Sequence, residues 1–567
     1  MKKFKTIACT AFLGLSLVSC NDFLTLIPLN DVVLENFWTD KADVESVLLG
    51  AYAQLESSDC ITRMSIWGEM RSDNIIAGSS TANDILQITR DNILETNGLT
   101  SWLCFYDVIN RCNTVMNFAP MVQDKDPNYT YAELKANLAE AIALRSLCYF
   151  YLIRAYRDVP YITRPSIDDT ENFVVPATKF DVILQNLIDD LEVVKEDAVN
   201  KYVKEEENSS RITRVAIYSM LADLYLWQGD WDNCILNCDK VLSRKLLEYE
   251  KIKVEKGPDC VIRLYKGIPL IQSMTENGRY AGTSYNEIFG KGNSFESIFE
   301  LAFMDAQSVN NSFISTYYGS KNTQVGQLAA NSELFLGVAG GTNKLFKKTD
   351  GRYLESMKES SSQYGIVKYI PMSIEYNLLT SSASAPKATV VDRSDQQISN
   401  WIVYRLTDVM LMKAEAKVMK SKVYEGSLNA DSSAIKELLF QEAFKIVGAI
   451  NDRSTNKEGT SDTLKYSTYS SSVKAMEELV LDERRRELLF EGKRWFDLVR
   501  MSRRDGDSKR LVQYVITKYT ENVSAVRIKL ADMNSLYFPI SKDELRINTE
   551  LKQNPAYEED DYISKSE

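Results

Sequence analysis

The segment Thr213-Arg-Val-Ala-Ile217-Tyr-Ser-Met220-Leu-Ala-Asp-Leu224-Tyr-Leu-Trp227-Gln-Gly229-Asp-Trp231-Asp-Asn-Cys234-Ile-Leu-Asn-Cys238-Asp-Lys-Val241 decides how the chain folds. Apolar side chains at Ile217, Met220, Leu221 and Leu224 recur with helical period, and Thr213 before them suits an N-cap. Gly229-Asp230 breaks that helix, and Trp231 to Val241 starts a second one that packs back antiparallel. Leu221, Ala222, Tyr225 and Gly229 fall at the packing and turn positions of the tetratricopeptide pattern, and Cys234 and Cys238 face the first helix. One hairpin cannot bury its own face, so others must stack on it.

Further hairpin pieces lie on both sides. Ala139 to Tyr156 reads as a helix ending at Asp158-Val159-Pro160, where proline disfavours continuation. Thr178 is placed to cap a helix carrying Leu184, Leu187, Ile188 and Leu191. Tyr404 to Lys420 and Val473 to Met501 are also expected to be helical. Between Val241 and Tyr404, residues 251–400 are rich in Gly, Ser, Asn, Thr and Tyr, as loops with a few short strands are, and 451–472 form a shorter loop between the last two helical blocks. The expected fold is mainly α: a tetratricopeptide-like helical-hairpin superhelix with a loop-rich insertion. The expected divisions are 1–19, 20–250, 251–400 and 401–567.

Composition removes several functions. Among 567 residues there is no histidine, which excludes a Ser-His-Asp or Cys-His nucleophile, an imidazole metal ligand and an imidazole pH switch. The formal net charge is −12, so most of the surface repels a phosphate backbone and nucleic acid is not an expected partner.

The N-terminus reads as an address. Met1-Lys2-Lys3-Phe4-Lys5 is a basic start, and Thr6 to Val18 is apolar but too short to span a bilayer, so 1–19 is read as a secretory signal. Its end, Leu17-Val18-Ser19-Cys20, resembles a lipobox, in which Cys20 takes a diacylglycerol and becomes a membrane anchor. Without Cys9 and Cys20, seven of the nine cysteines remain. An odd number cannot all pair, and no C-x-x-C occurs, so they read as small buried hydrophobes, with a Cys104–Cys112 bridge left open.

Several motifs resemble the SusD/RagB family of Bacteroidetes outer-membrane nutrient-binding lipoproteins. They are the lipobox with Asp22-Phe23-Leu24-x-x-x-Pro28 and Phe37-Trp38, then Ala143-Leu-Arg145 to Asp158-Val-Pro160, and the hairpin from Val215 past Trp231. Asp350-Gly-Arg352 and Tyr404-Arg405-x-x-Asp408 follow, with Glu483-Arg-Arg-Arg-Glu487-Leu-Leu-Phe-Glu491-Gly-Lys-Arg494-Trp-Phe-Asp497-Leu-Val-Arg500 and Gln553-Asn-Pro555-x-Tyr557. The chain departs at Arg157, where glycine is frequent, at Pro176-Ala177, where Pro-Arg is, and at Lys493, where histidine is. The resemblance implies a lipid-anchored outer-membrane protein, facing the exterior, that lies as a lid on a SusC-like TonB-dependent β-barrel transporter. It would capture an oligosaccharide or, as RagB-like members do, an oligopeptide, without covalent chemistry, cofactor or metal. A protein-binding tetratricopeptide adaptor is the alternative.

Sugar rings stack on aromatic side chains while their hydroxyls seek Asn, Arg and Asp. The ligand-face candidates are therefore Trp67, Trp102, Tyr280, Tyr285, Tyr317 and Tyr318, with Arg90 and Asn92 as hydrogen-bonding partners. The run Glu483 to Glu487 reads as structural charge pairs, with Arg494 and Asp497 locking the last hairpin. A carboxylate-pair glycosidase has no supporting spacing. The acidic tail Glu558 to Asp561 lacks calcium-loop spacing, and Asn128-x-Thr130 is an unused glycosylation pattern.

Overall fold

The computed structural model describes residues 37–167, 174–273, 282–303, 311–319, 325–336, 345–346, 349–360, 363–370, 398–427, 429–455 and 464–558. The signal, Cys20, Tyr280 and the acidic tail from residue 559 lie outside the described residues.

The long helices are α1 (Lys41–Leu55), α2 (Leu103–Lys125), α3 (Tyr131–Tyr156), α4 (Phe180–Val194), α5 (Arg214–Gln228), α6 (Trp231–Lys256), α7 (Leu406–Ser421), α8 (Ala430–Ser454), α9 (Val473–Glu487) and α10 (Arg494–Asp505). Each packs on the next from α1 through α8, and α9 covers both α7 and α8. The result is the expected stack of hairpins. Its starts are written locally: Asp40 with Asp43, and Thr130 with Glu133, form capping boxes, while Thr213 accepts from the Ala216 N–H. Gly229 ends α5 with φ +85°, a left-handed conformation natural to glycine, and Asp230 caps α6. α3 is long and apolar enough to cross a membrane, yet it is the buried centre of the stack.

The strands are short: β1 (Ile75–Ala77), β2 (Ile262–Tyr265), β3 (Ile268–Ile271), β4 (Ser297–Leu301), β5 (Leu328–Ala330), β6 (Met357–Ser360), β7 (Gln363–Ile366) and β8 (Trp401–Arg405). β1, β5, β7 and β6 form an antiparallel sheet in that order; β2 pairs with β3, and β4 with β8.

Four expectations are corrected. The helix expected from Tyr404 starts at Leu406, and Tyr404 and Arg405 end the strand Trp401–Arg405, because β4 supplies its ladder partner. Val473 to Met501 is two helices broken at Phe490 and Gly492, both at positive φ. Thr178 pairs with Val159 in a two-residue ladder, and the Asp158 carboxylate caps α4 by accepting from the Phe180 N–H at 3.0 Å. α6 continues past residue 250 to Lys256. The seven described cysteines are free and buried, so the Cys104–Cys112 bridge is not formed.

The charged run on α9 is structural, but not as surface pairs. Within the run, Arg486 and Glu483 pair along the helix. Glu487 gathers Arg352, Arg405 and Arg453, while Glu491 takes Lys368 at 2.6 Å and Arg405 at 2.8 Å. Arg484 bridges Asp497 at 2.9 Å and Asp408 at 2.7 Å, and Lys493 adds its ammonium to Asp408 at 2.8 Å. All these groups are buried or nearly so. Charges removed from water need several partners each, and that demand fixes one register between α7, α8, α9, α10 and the strands.

Candidate functional site

The structure separates the eight ligand candidates into groups. Trp67, Trp102, Tyr285 and Tyr318 are buried, which corrects the expectation that they offer ring faces to a ligand. Trp67 stacks on Phe105 at 5.1 Å and donates its indole N–H to the Leu99 carbonyl, and Trp102 meets Tyr156 edge to face at 5.0 Å. The Tyr318 hydroxyl donates to the Phe490 carbonyl, and the Tyr285 hydroxyl donates to the Val367 carbonyl at 2.7 Å. Their hydrogen bonds and ring contacts are spent on the core. Tyr280 is not among the described residues.

Tyr317, Arg90 and Asn92 remain available. Tyr317 is partly buried, stacked on Phe313 at 4.9 Å, and lies at the outer end of a run of rings through Phe313, Trp401 and Tyr369. Burial raises its phenol above the ordinary value, a hydrogen bond with Thr62 and the charge of Arg63 oppose this, and the charges of Asp59 and Asp84 raise it further. Arg90 and Asn92 point to solvent on either side of the buried Asp91. Asp91, at φ +55°, is gripped by Arg71 at 2.6 Å, and Arg71 lies over Trp495 at 4.4 Å, so the turn is anchored from beneath.

The frame under Tyr317 depends on two glycines. A Cβ at Gly326 would overlap the Tyr317 carbonyl, and one at Gly78 would overlap the Gly326 carbonyl, so the backbones touch. Gln327 ties the pieces together: its N–H donates to the Thr316 carbonyl, its carbonyl accepts from Gly78 at 2.9 Å and Thr81 at 2.7 Å, and its Oε1 accepts from Ala82. Ala82 immediately precedes the helix Asn83–Thr89, which carries Asp84 and leads into Arg90. Asp84 accepts from the Gly98 N–H at 3.0 Å, and Arg63 donates to the Gly98 carbonyl at 2.9 Å while pairing with Asp59.

One scaffold thus holds the partly exposed ring of Tyr317 within electrostatic reach of two carboxylates, Asp59 and Asp84, the second of which is tied to the turn 97–101. Such a group offers a flat apolar edge with donors and acceptors around it, which is the chemistry of hydroxyl-rich ligands. Asp59, Asp84, Gly78, Gly326 and Gln327 were missed in sequence; the Gly319 to Gly326 loop was the only visible signal. Among the described residues, no group of three or more Cys, Asp or Glu is placed to hold a metal ion.

Fold and face together define a helical-hairpin scaffold protein with a loop-borne polar face. The SusD family profile matches residues 384–557, and a second, described as "Starch-binding associating with outer membrane", matches 22–226. SusD-like protein P38 of Formosa agariphila is 24% identical over 89% of this chain and 93% of its own length, and SusD-like protein P25 of that organism is 22% identical over 98% and 99%. A SusD superfamily structure from Bacteroides vulgatus superposes with a TM-score of 0.62 at 17% identity, covering 92% of this chain and 100% of its own. A laminarin-binding SusD-like protein superposes with 0.59 at 19% identity, over 92% and 100%. The chain belongs to the SusD/RagB family.

Proposed function

We propose that this protein captures oligosaccharides at the outer membrane and passes them to a SusC-like TonB-dependent β-barrel transporter, for which it is the lid. The observation that carries the reading is the partly exposed Tyr317 ring, stacked on Phe313, within electrostatic reach of Asp59 and Asp84, and set on backbone held by the Gly78–Gly326 contact. Membership in the SusD/RagB family supports the saccharide class, as do the laminarin-binding structural neighbour and the starch-binding, outer-membrane description that matches 22–226. Cys20 anchors the chain through lipid, the exterior-facing position brings it to nutrients, and Tyr317, Arg90 and Asn92 contact the ligand. No step calls for a proton shuttle, which accords with a chain that has no histidine.

Purification from membranes of the producing cell tests the assembly. A β-barrel transporter is expected to co-purify, and Cys20→Ser is expected to release the protein from the membrane. Purification of a membrane-anchored chain without any such transporter would contradict the lid role and favour a protein-binding adaptor.

A further inference from the structure

A separate cleft of about 600 Å³ opens at the tip of the α5–α6 hairpin, where the turn meets α4 and α10. This size is ordinary for a small-ligand pocket, for which about 300–1,000 Å³ is usual. Its walls include Trp227, Trp231, Gln228, Asp181, Arg500 and Arg503. Trp231 is only partly buried: its ring packs on the core and still borders the cleft.

The charges in the wall are already matched. Arg500 pairs with Glu415 at 2.7 Å, and its neighbour Arg504 pairs with the same carboxylate at 2.9 Å. Arg503 stacks over Phe180 at 3.8 Å and holds Asp181 at 2.8 Å, and that aspartate side chain is 83% exposed. Gln228 donates to Gln185 at 2.7 Å and is otherwise exposed. An anionic ligand would face the acids behind the arginines, and an apolar one would strand the polar wall. A hydroxyl both donates and accepts, so a neutral sugar satisfies an Arg–Asp pair at no cost in charge. An indole face beside that pair suits the C–H face of the ring.

We infer that this cleft is a second saccharide site, in which a neutral pyranose unit stacks on Trp231 with its hydroxyls on Arg503, Asp181 and Gln228. The inference rests on the saccharide reading of the Tyr317 face and adds a place to hold the same chain away from it.

The test is native mass spectrometry and calorimetry on the full chain carrying Cys20→Ser, with laminarihexaose, maltohexaose and cellohexaose as probes. The hexaose that binds is expected to saturate at two per chain. Trp231→Ala should reduce this to one, and Asp181→Asn, an exposed change that leaves the core intact, should weaken the second site at least fivefold. Saturation at one per chain, unaffected by Trp231→Ala but removed by Tyr317→Ala, overturns the second site and leaves the functional reading standing. Silence of all three hexaoses removes both.

Discussion

Arg494 Nε lies 3.0 Å from Oδ1 of Asp73, although 421 positions of chain separate them. Arg485 approaches the same carboxylate at 2.9 Å, and burial, which alone would raise the Asp73 carboxyl, is outweighed by these two charges, which hold it at about 2. The pair joins the loop after Ile66–Met70 to α10, so the N-terminal and C-terminal parts fold as one body. Asp73→Ala leaves two buried guanidiniums without their anion and is expected to cost about 3–5 kcal/mol in urea unfolding. A loss below about 1 kcal/mol contradicts this role.

Glu69, beside Asp73, has the opposite tendency. Burial raises its carboxyl from 4.5 to about 7, against hydrogen bonds from Asn74 and the Arg494 and Lys493 N–H groups that lower it. A raised carboxyl binds its proton more tightly when folded. Its stabilising contribution is therefore full below pH 4.5 and is lost as pH rises through about 7. Relative to Glu69→Gln, the native chain should lose up to about 3 kcal/mol between pH 5 and pH 8. A stability gap that does not change with pH contradicts the assignment.

Arg157 is strained. It has φ +70° and ψ −74°, and the Asp158 N–H bonds back to the Tyr156 carbonyl at 3.0 Å, which makes a tight three-residue turn of the rare hand. Glycine, frequent here in the family the sequence resembles, takes this conformation freely. Arg157→Gly should stabilise the fold by about 1 kcal/mol, even though it removes the hydrogen bond that the Arg157 guanidinium donates to Asn534. Thermal unfolding checks it; a markedly lower midpoint would contradict it.

Gly326→Ala forces a methyl into the Tyr317 carbonyl, so it should shift the backbone at Tyr317 and weaken saccharide binding at that face at least tenfold while the helical stack melts as before. Trp67→Ala should do the reverse, costing about 3–5 kcal/mol of stability through the cavity it leaves. Binding that survives Gly326→Ala unchanged would place the ligand elsewhere.

The hairpins were legible because helical period and caps are local signals, as Thr213 and Gly229 show. The strand Trp401–Arg405 was not, because its partner Ser297–Leu301 lies far back in the chain, and Tyr404 fits a helical pattern equally well. The break at Phe490–Gly492 was marked by a glycine inside a charged run that otherwise reads as one helix. Which aromatics face outward could not be read from type or spacing. Tyr317 and Tyr318 are adjacent, yet one is partly exposed while the other gives its hydroxyl to Phe490. The carboxylate of Asp84 is brought into electrostatic reach of Tyr317 through long-range contacts such as the hydrogen bond from the Ala82 N–H to Gln327, 245 positions apart.

Capture of oligosaccharide at the Tyr317 face is what the proposed function requires. Calorimetric titration of the full chain carrying Cys20→Ser against matched glycan and peptide libraries tests it most directly, with Tyr317→Ala measured beside it. The expected result is heat of binding from at least one glycan, with affinity at the Tyr317 face reduced tenfold or more by Tyr317→Ala, the Trp231 cleft still binding, and the melting midpoint unchanged. Heat from peptides alone, with every glycan silent, would contradict it.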